Sequence, residues 1–379
     1  MGRIRKNTSE SIEIVIKRSK GSIILIILFI LNGCQSSRFF QNPYSLIEWT
    51  ICGRYKANLH THTTVRGGWM NPQSVVAAYK NSEYTILAIT DHFAVTYPWE
   101  EFSKLKPEDR IKQRIIDKIP KPSESEPMKM EELEFKDVIP GDIGMIAVQG
   151  NEISYKGHDI NSYYNNYRGS DSNASLDSIS AKNGVAVLNH PGRYKFKPWW
   201  YADLFGKYDN LVGLEVFNCG NRYPGDRQKW DSVLTLVTPT RSIWGFSNDD
   251  MHSMRDFGRN WNVFLLPELN EYYVRKTIEN GTFYFINAPE GHKGPEPPSI
   301  ESIKTNKRNS RINIESIATD SIIWISNGIK VGKGKSIQVT DLPSNCKYIR
   351  AELYGKAKSM TCTQPFRILS SRKIRLRPI

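Results

Sequence analysis

A parallel sheet carrying its helices outside, closed into a β/α barrel and followed by a small all-β module, is the fold class this 379-residue sequence predicts. Three observations lead there. Short apolar runs alternate with helical segments from Lys56 to Ile286, the pattern of a sheet covered by helices. Histidines and acids close those runs repeatedly, and strand C-terminal ends are where a β/α barrel gathers its chemistry. Beyond about Gly291 the chain turns Pro-rich, then breaks into short β-like runs with turn signals between them. An open doubly wound sheet also places ligands at strand ends. It does not readily gather them from six or more strands around one point, so closure is preferred.

The elements follow in order. Ala57–Leu59 is a strand leading into His60. Pro72–Lys80 fits a helix with Asn71 as N-cap and proline at the first helical position. Tyr84–Thr90 and Gly144–Glu152 are apolar runs. Ser175–Lys182 suits a helix stopped by Gly184, and Val185–Leu188, Leu211–Phe217 and Ser242–Ser247 read as strands. Asn270–Asn280 reads as a helix capped by Asn270 and ended by Gly281, with Phe283–Ile286 as a last strand. Residues 100–143 interrupt the alternation; they are charged and Pro-punctuated, an insertion with a helix near Glu108–Ile119. Arg311–Ser316, Ser321–Ser326, Ser336–Val339, Lys347–Leu353 and Phe366–Ile368 are the β-like runs of a sandwich-like domain over 300–379.

The first 33 residues read as a lipoprotein signal peptide. Lys17, Arg18 and Lys20 precede an apolar run from Ser22 to Leu31, too short to span a bilayer. The run ends Leu31-Asn32-Gly33-Cys34, which resembles a lipobox and predicts acylation of Cys34, with 34–55 as a tether. Gln35 is not the Asp that signals inner-membrane retention, so the expected location is the cell envelope, at an outer membrane facing the periplasm or the cell surface. The formal charge of +13 is unevenly placed. Six Lys/Arg and two Asp/Glu lie in the first 33 residues; sixteen and five lie in 301–379, which leaves the region between about two charges negative. No nucleic-acid motif accompanies the basic part, so a nucleic-acid partner is not expected. Cys346 and Cys362 either pair, contributing about 3 kcal/mol in the chain-entropy model, or stand as two buried thiols.

Six of the seven histidines lie in five short motifs: Leu59-His60-Thr61-His62, Thr90-Asp91-His92, Gly157-His158-Asp159, Asn189-His190-Pro191 and Asp250-Met251-His252. Strand residues two apart point to one face, so His60 and His62 can share a cation, and Asp250 and His252 repeat that spacing. Glu152, His158 and His190 close further strands. Mixed imidazole and carboxylate donors suit zinc, iron or manganese over calcium or magnesium.

The series ANLHTHTTVRGGWMNP, YTILAITDH, GNEIS, GHDIN, LNHPGR, GLEVFN and SNDDMHS resembles the PHP (polymerase and histidinol phosphatase) family, in family order, over residues 56–290. The resemblance implies a distorted (βα)7 TIM-like barrel with two or three divalent metal ions (Zn, Mn or Fe). His60, His62, Glu152 and Asp250 would hold the first. Glu152 would bridge to a second held by His158 and His190, and His92 and His252 would belong to a third. Many members carry His or Asp where this chain has Gly67, so the third metal loses a ligand.

The implied activity is hydrolysis of a small-molecule or envelope phosphoester by a metal-activated water, with Glu152 and Asp250 central and Asp91 orienting ligands. Arg193 is the best candidate for a phosphate clamp, ahead of Arg222, Arg255 and Arg259, and Glu215 and Asn218 are expected behind the ligands. Another metal-dependent hydrolase of the amidohydrolase type and a non-catalytic envelope-binding lipoprotein are the alternatives.

Overall fold

The computed structural model describes residues 12–19, 22–29, 38–109, 134–154, 157–169, 172–238, 240–306 and 310–370. Ile12–Ser19 and Ser22–Phe29 pair as an antiparallel hairpin belonging to a terminal unit of its own. Cys34 lies outside the described residues, as does most of the helix expected near Glu108–Ile119. No helix among the described residues is long and apolar enough to cross a membrane.

Phe39–Leu369 is one compact unit of mixed α/β structure. Its first part runs β1 (Gly53–Asn58), α1 (Pro72–Asn81), β2 (Tyr84–Ala88), β3 (Ile146–Val148), β4 (Gly150–Ile153), β5 (Ile160–Tyr163), α2 (Ser172–Ala181) and β6 (Val185–Leu188). Then come α3 (Pro198–Lys207), β7 (Leu211–Asn218), α4 (Gly225–Val237), β8 (Trp244–Asn248), β9 (Asn260–Leu266), α5 (Glu271–Asn280) and β10 (Phe283–Asn287). β1, β2 and β3 pair in parallel, and so do β6, β7 and β8. Every residue of β6 and β7 is buried, as near-continuous apolar strands covered on both faces must be.

Two features depart from simple alternation. β4 and β5 form an antiparallel hairpin that joins β6 antiparallel, and β9 runs antiparallel to β1. Among the described residues, the sheet β4–β8 meets the sheet containing β1–β3 through two isolated parallel bridges, Thr61↔Met251 and His92↔Glu152.

Side-chain caps mark two of the helices the sequence revealed. The Asn71 side chain accepts from Ser74 N at 2.8 Å, and the Asn270 side chain accepts from Tyr273 N at 3.0 Å, each satisfying a backbone donor free at a helix start. Gly281 closes α5 at φ 70°, the left-handed conformation glycine adopts freely. Asn270→Ala is expected to cost about 1 kcal/mol in denaturant unfolding, with Asn270→Asp near wild type. α3 and α4, absent from the sequence expectations, start at Lys197 and Pro224, neither of which makes a side-chain cap bond.

The C-terminal strands are β11 (Ser299–Asn306), β12 (Arg311–Ile317), β13 (Ser321–Ser326), β14 (Ile329–Lys333), β15 (Ser336–Gln338), β16 (Tyr348–Tyr354), β17 (Met360–Cys362) and β18 (Phe366–Ser370). β17 pairs with β10, so β13, β14 and β16 continue the sheet that contains β1. Ile300, Ile312 and Trp324 share a core cluster with Val75, Tyr79 and Tyr84. Cys346 and Cys362 are free, buried thiols in different clusters, which corrects the expected option of a bridge between them.

Candidate metal centre

The loops following β1, β2, β6 and β8, together with β4 and the start of β5, bring imidazoles and carboxylates to one point. His60 and His62 leave β1 on the same side and are fully buried. Their Nε2 atoms lie 3.2 Å apart, and each is 3.2 Å from Asp250 Oδ1. Glu152 faces both ways. Its Oε1 is 3.4 Å from Nε2 of His60 and of His190, while its Oε2 is 3.4 Å from His62 Nε2 and 2.9 Å from His92 Nδ1. His190 and Asp250 hold left-handed backbone at φ 29° and φ 46°, unusual for residues other than glycine and frequent at functional sites.

Four overlapping triads have donor atoms within 4.8 Å of one another: His62/His92/His252, His60/His190/Asp250, His60/His62/Glu152 and Glu152/Asp159/His190. The donor set fits divalent cations. Burial opposes charge on His60 and His190, yet the surrounding carboxylates push both up, His190 to about 9. His62 goes the other way: burial first, then the neighbouring His252 and His92, hold it well below its ordinary value. Burial likewise opposes ionisation of Glu152, but the charge of His60 and hydrogen bonds from His190, His60 and His92 hold it well below the usual carboxylate range.

Glu215 stands behind the ligands and is fully buried. Its Oε1 takes His60 Nδ1 and Asn248 Nδ2, and its Oε2 takes the His190 backbone N–H and Asn218 Nδ2, all at 2.9 Å. A carboxylate only accepts, so His60 carries its proton on Nδ1 and turns Nε2 toward Glu152 and Asp250.

One expected ligand lies apart from the triads. His158 is buried outside the triads. Its Nδ1 donates to Asp159 O at 2.8 Å, its Nε2 meets Tyr201 OH at 3.1 Å, and burial drives its pKa down to about 3. The neighbouring Asp159 supplies the donor instead, with Oδ2 3.7 Å from His190 Nε2. Asp91, expected to orient ligands, stands outside the triads. It accepts from Thr63 N and Oγ1 at 2.6 Å and from Thr96 Oγ1 at 2.5 Å, tying down the chain just after His62. Gly67 stands beside the His62/His92/His252 triad at φ 121°, and a Cβ there would come within 3.0 Å of His92 Cδ2 and 3.1 Å of His62 Nδ1. The glycine allows the two imidazoles to sit where they do.

Two adjacent strands carry the same loop, a pattern sequence reading missed. Asn189-His190-Pro191-Gly192-Arg193-Tyr194 follows β6, and Asn218-Cys219-Gly220-Asn221-Arg222-Tyr223 begins at the end of β7. In each, the asparagine donates to a buried glutamate and the next residue has positive φ. Each arginine pairs with a carboxylate of the triads: Arg193 Nη1 with Asp159 Oδ2 at 2.8 Å and Arg222 Nη1 with Asp250 Oδ2 at 3.2 Å. The Tyr194 and Tyr223 rings lie 6.1 and 5.6 Å from the His190 ring.

No protein-family model matches this chain, and no curated protein does. Solved structures do. The chain resembles PHP-like proteins of known structure. A two-domain Bacteroides vulgatus protein, named for a predicted PHP-like metal-dependent phosphoesterase, aligns at 13% identity and TM-score 0.46 over 90% of this chain and 93% of its own. A Chromobacterium violaceum amidohydrolase with bound sulfate and no metal aligns at 13% identity and TM-score 0.36, over 60% of this chain and 96% of its own. A Bifidobacterium adolescentis protein assigned as a metal-dependent phosphoesterase aligns at 14% identity and TM-score 0.37, over 59% and 96%.

Proposed function

We propose that this chain is a PHP-type phosphoesterase that hydrolyses a phosphoester with two or three divalent cations held by His60, His62, His92, Glu152, Asp159, His190, Asp250 and His252. The observation that carries the reading is Glu152, whose two oxygens face different imidazole pairs, the arrangement a bridging carboxylate takes. We read the two sheets stitched by the bridges beside His60, His92 and Asp250 as halves of a distorted barrel.

Cations in such a site supply Lewis-acid stabilisation of phosphoryl oxygens and lower the pKa of water toward about 7. The protein supplies the rest. Glu215 fixes the His60 tautomer and holds the His190 backbone. Arg193 and Arg222 approach the same imidazole through one carboxylate each, with side chains 53% and 35% exposed, so both can meet a phosphoryl group entering from solvent. Arg193→Met and Arg222→Met are each expected to lower kcat/KM about 10–100-fold, with cation content unchanged.

The reading is tested with purified protein on an aryl phosphomonoester and an aryl phosphodiester, with manganese, zinc or chelator. Cation-dependent release from either ester supports it and names the ester class. No release from either by protein carrying its cations overturns it. We further propose an envelope lipoprotein acylated at Cys34, on the strength of the lipobox-like Leu31-Asn32-Gly33-Cys34. An intact mass without acyl chains after detergent extraction would refute that.

A further inference from the structure

α4 stands between the metal centre and the C-terminal strands and grips both. At its start, Asp226 Oδ1 accepts the Gly192 N–H. One turn on, Lys229 Nζ donates to Pro191 O at 2.7 Å and to Tyr194 O at 2.6 Å. These two side chains, i and i+3 neighbours on the helix surface, clasp the turn that carries His190 at its start and Arg193 within it.

The adjacent face of α4 is held by β16. Asp231 accepts Arg350 Nε at 2.8 Å and Nη2 at 2.6 Å in a two-pronged pair, and Tyr348 OH at 2.7 Å. Arg350 Nη1 continues to Glu352 Oε1 at 2.8 Å, and Arg227 Nε lies 3.6 Å from the same oxygen. The Arg350 guanidinium also covers the Trp230 ring at 5.0 Å. Arg350 is 1% exposed, Glu352 3% and Asp231 5%. A buried ion network of this kind is seldom more stabilising than apolar packing of the same volume, but the guanidinium fork fixes direction and distance closely. Here it holds the helix whose Asp226 and Lys229 clasp the His190–Arg193 turn.

We propose that the C-terminal strands complete the metal centre: Arg350, locked to Asp231, is a positioning residue that acts through α4 on the His190–Arg193 turn. The inference rests on the reading of His190 and Asp159 as cation-side residues and gives the C-terminal part a role in the chemistry. It predicts that loosening β16 from α4 weakens the cation held by Glu152, Asp159 and His190, while the His62/His92/His252 triad on the far side of Glu152 is spared.

The test is cobalt(II) titration of the full chain, following the visible d–d bands in competition with a chelator. Arg350→Met is expected to bind one cobalt equivalent about tenfold more weakly, with altered bands, and to raise KM. Arg350→Lys, which keeps the charge but loses the fork, and Tyr348→Phe are expected to fall between it and wild type. Ile312→Val, in the C-terminal core away from α4, controls for general destabilisation: its melting temperature falls while cobalt affinity stays at wild type. Folded Arg350→Met with wild-type affinity and bands overturns the proposal. Should that variant be insoluble, wild-type behaviour of Arg350→Lys and Tyr348→Phe overturns it equally. Wild-type protein that binds no cobalt overturns the metal reading itself, and this proposal with it.

Discussion

Glu152→Gln is expected to abolish phosphoester hydrolysis, by more than about a thousandfold in kcat, while leaving the fold nearly intact. The carboxylate is 1% exposed and offers one oxygen to His60 and His190 and the other to His62 and His92. An amide of the same shape keeps the packing and can still accept from Asn189 Nδ2, which sits 2.8 Å from Oε1. It brings no negative charge, and one of its ends becomes a donor pointed at imidazole nitrogens. Two triads that share Glu152 therefore lose their common member together. Metal analysis after dialysis should show fewer bound cations than wild type, and circular dichroism should be unchanged. Full activity in the variant would exclude Glu152 as the shared ligand.

Glu215→Gln is expected to weaken cation binding about 10–100-fold although residue 215 touches no cation. Four donors converge on the two carboxylate oxygens, two on each. Whichever end the glutamine amide turns its NH2, that group faces two donors and satisfies neither, at a cost of about 1–3 kcal/mol for each buried group left unpaired. If the NH2 faces His60, the imidazole is driven to carry its proton on Nε2, the atom aimed at Glu152 and Asp250. Competition against a chelator measures the affinity, and a thermal melt measures the stability. A variant that melts lower yet binds cations as tightly as wild type would limit Glu215 to a packing role.

Most of the candidate ligands were legible because metal donors cluster at strand ends in short, recognisable spacings. His60, His62, His92, Glu152, His190, Asp250 and His252 all enter the overlapping triads, though in other groupings than the resemblance implied. The exchange of His158 for Asp159 was not legible. Both close the same motif; in the fold His158 is held among the rings of Tyr194, Phe196, Trp200 and Tyr201 and by hydrogen bonds to Asp159 O and Tyr201 OH, while Asp159 takes part in a triad. Arg222 was underweighted because its loop shares with that of Arg193 only an asparagine at the start and an Arg-Tyr pair at the end, a likeness that becomes apparent from the backbone. In the fold, capped helices such as α5 were readable and uncapped ones such as α4 were not. The hairpin of β4 and β5 was hidden for another reason. Ile160–Tyr163 is half polar: Asn161 donates to Leu59 O and Ser162, on the opposite face of the strand, accepts from Asn165 Nδ2, so its burial rests on hydrogen bonds and not on an apolar run.

The two isolated bridges between the sheets give the molecule a seam. Three of its rungs are short and local: His62 N–H to Met251 O at 2.8 Å, Phe93 N–H to Glu152 O at 2.9 Å and Glu152 N–H to Thr90 O at 3.2 Å. Elsewhere strands are laced along their length, but here the side chains flanking the rungs are those that converge on the proposed cations. Ions bound across the seam would act as its clasp, since a ligand that prefers the closed form stabilises it by mass action. Amide protons of His62, Phe93 and Glu152 should then exchange with deuterium slowly in the loaded protein and much faster after chelation, while those of the interior strand β7 keep their protection.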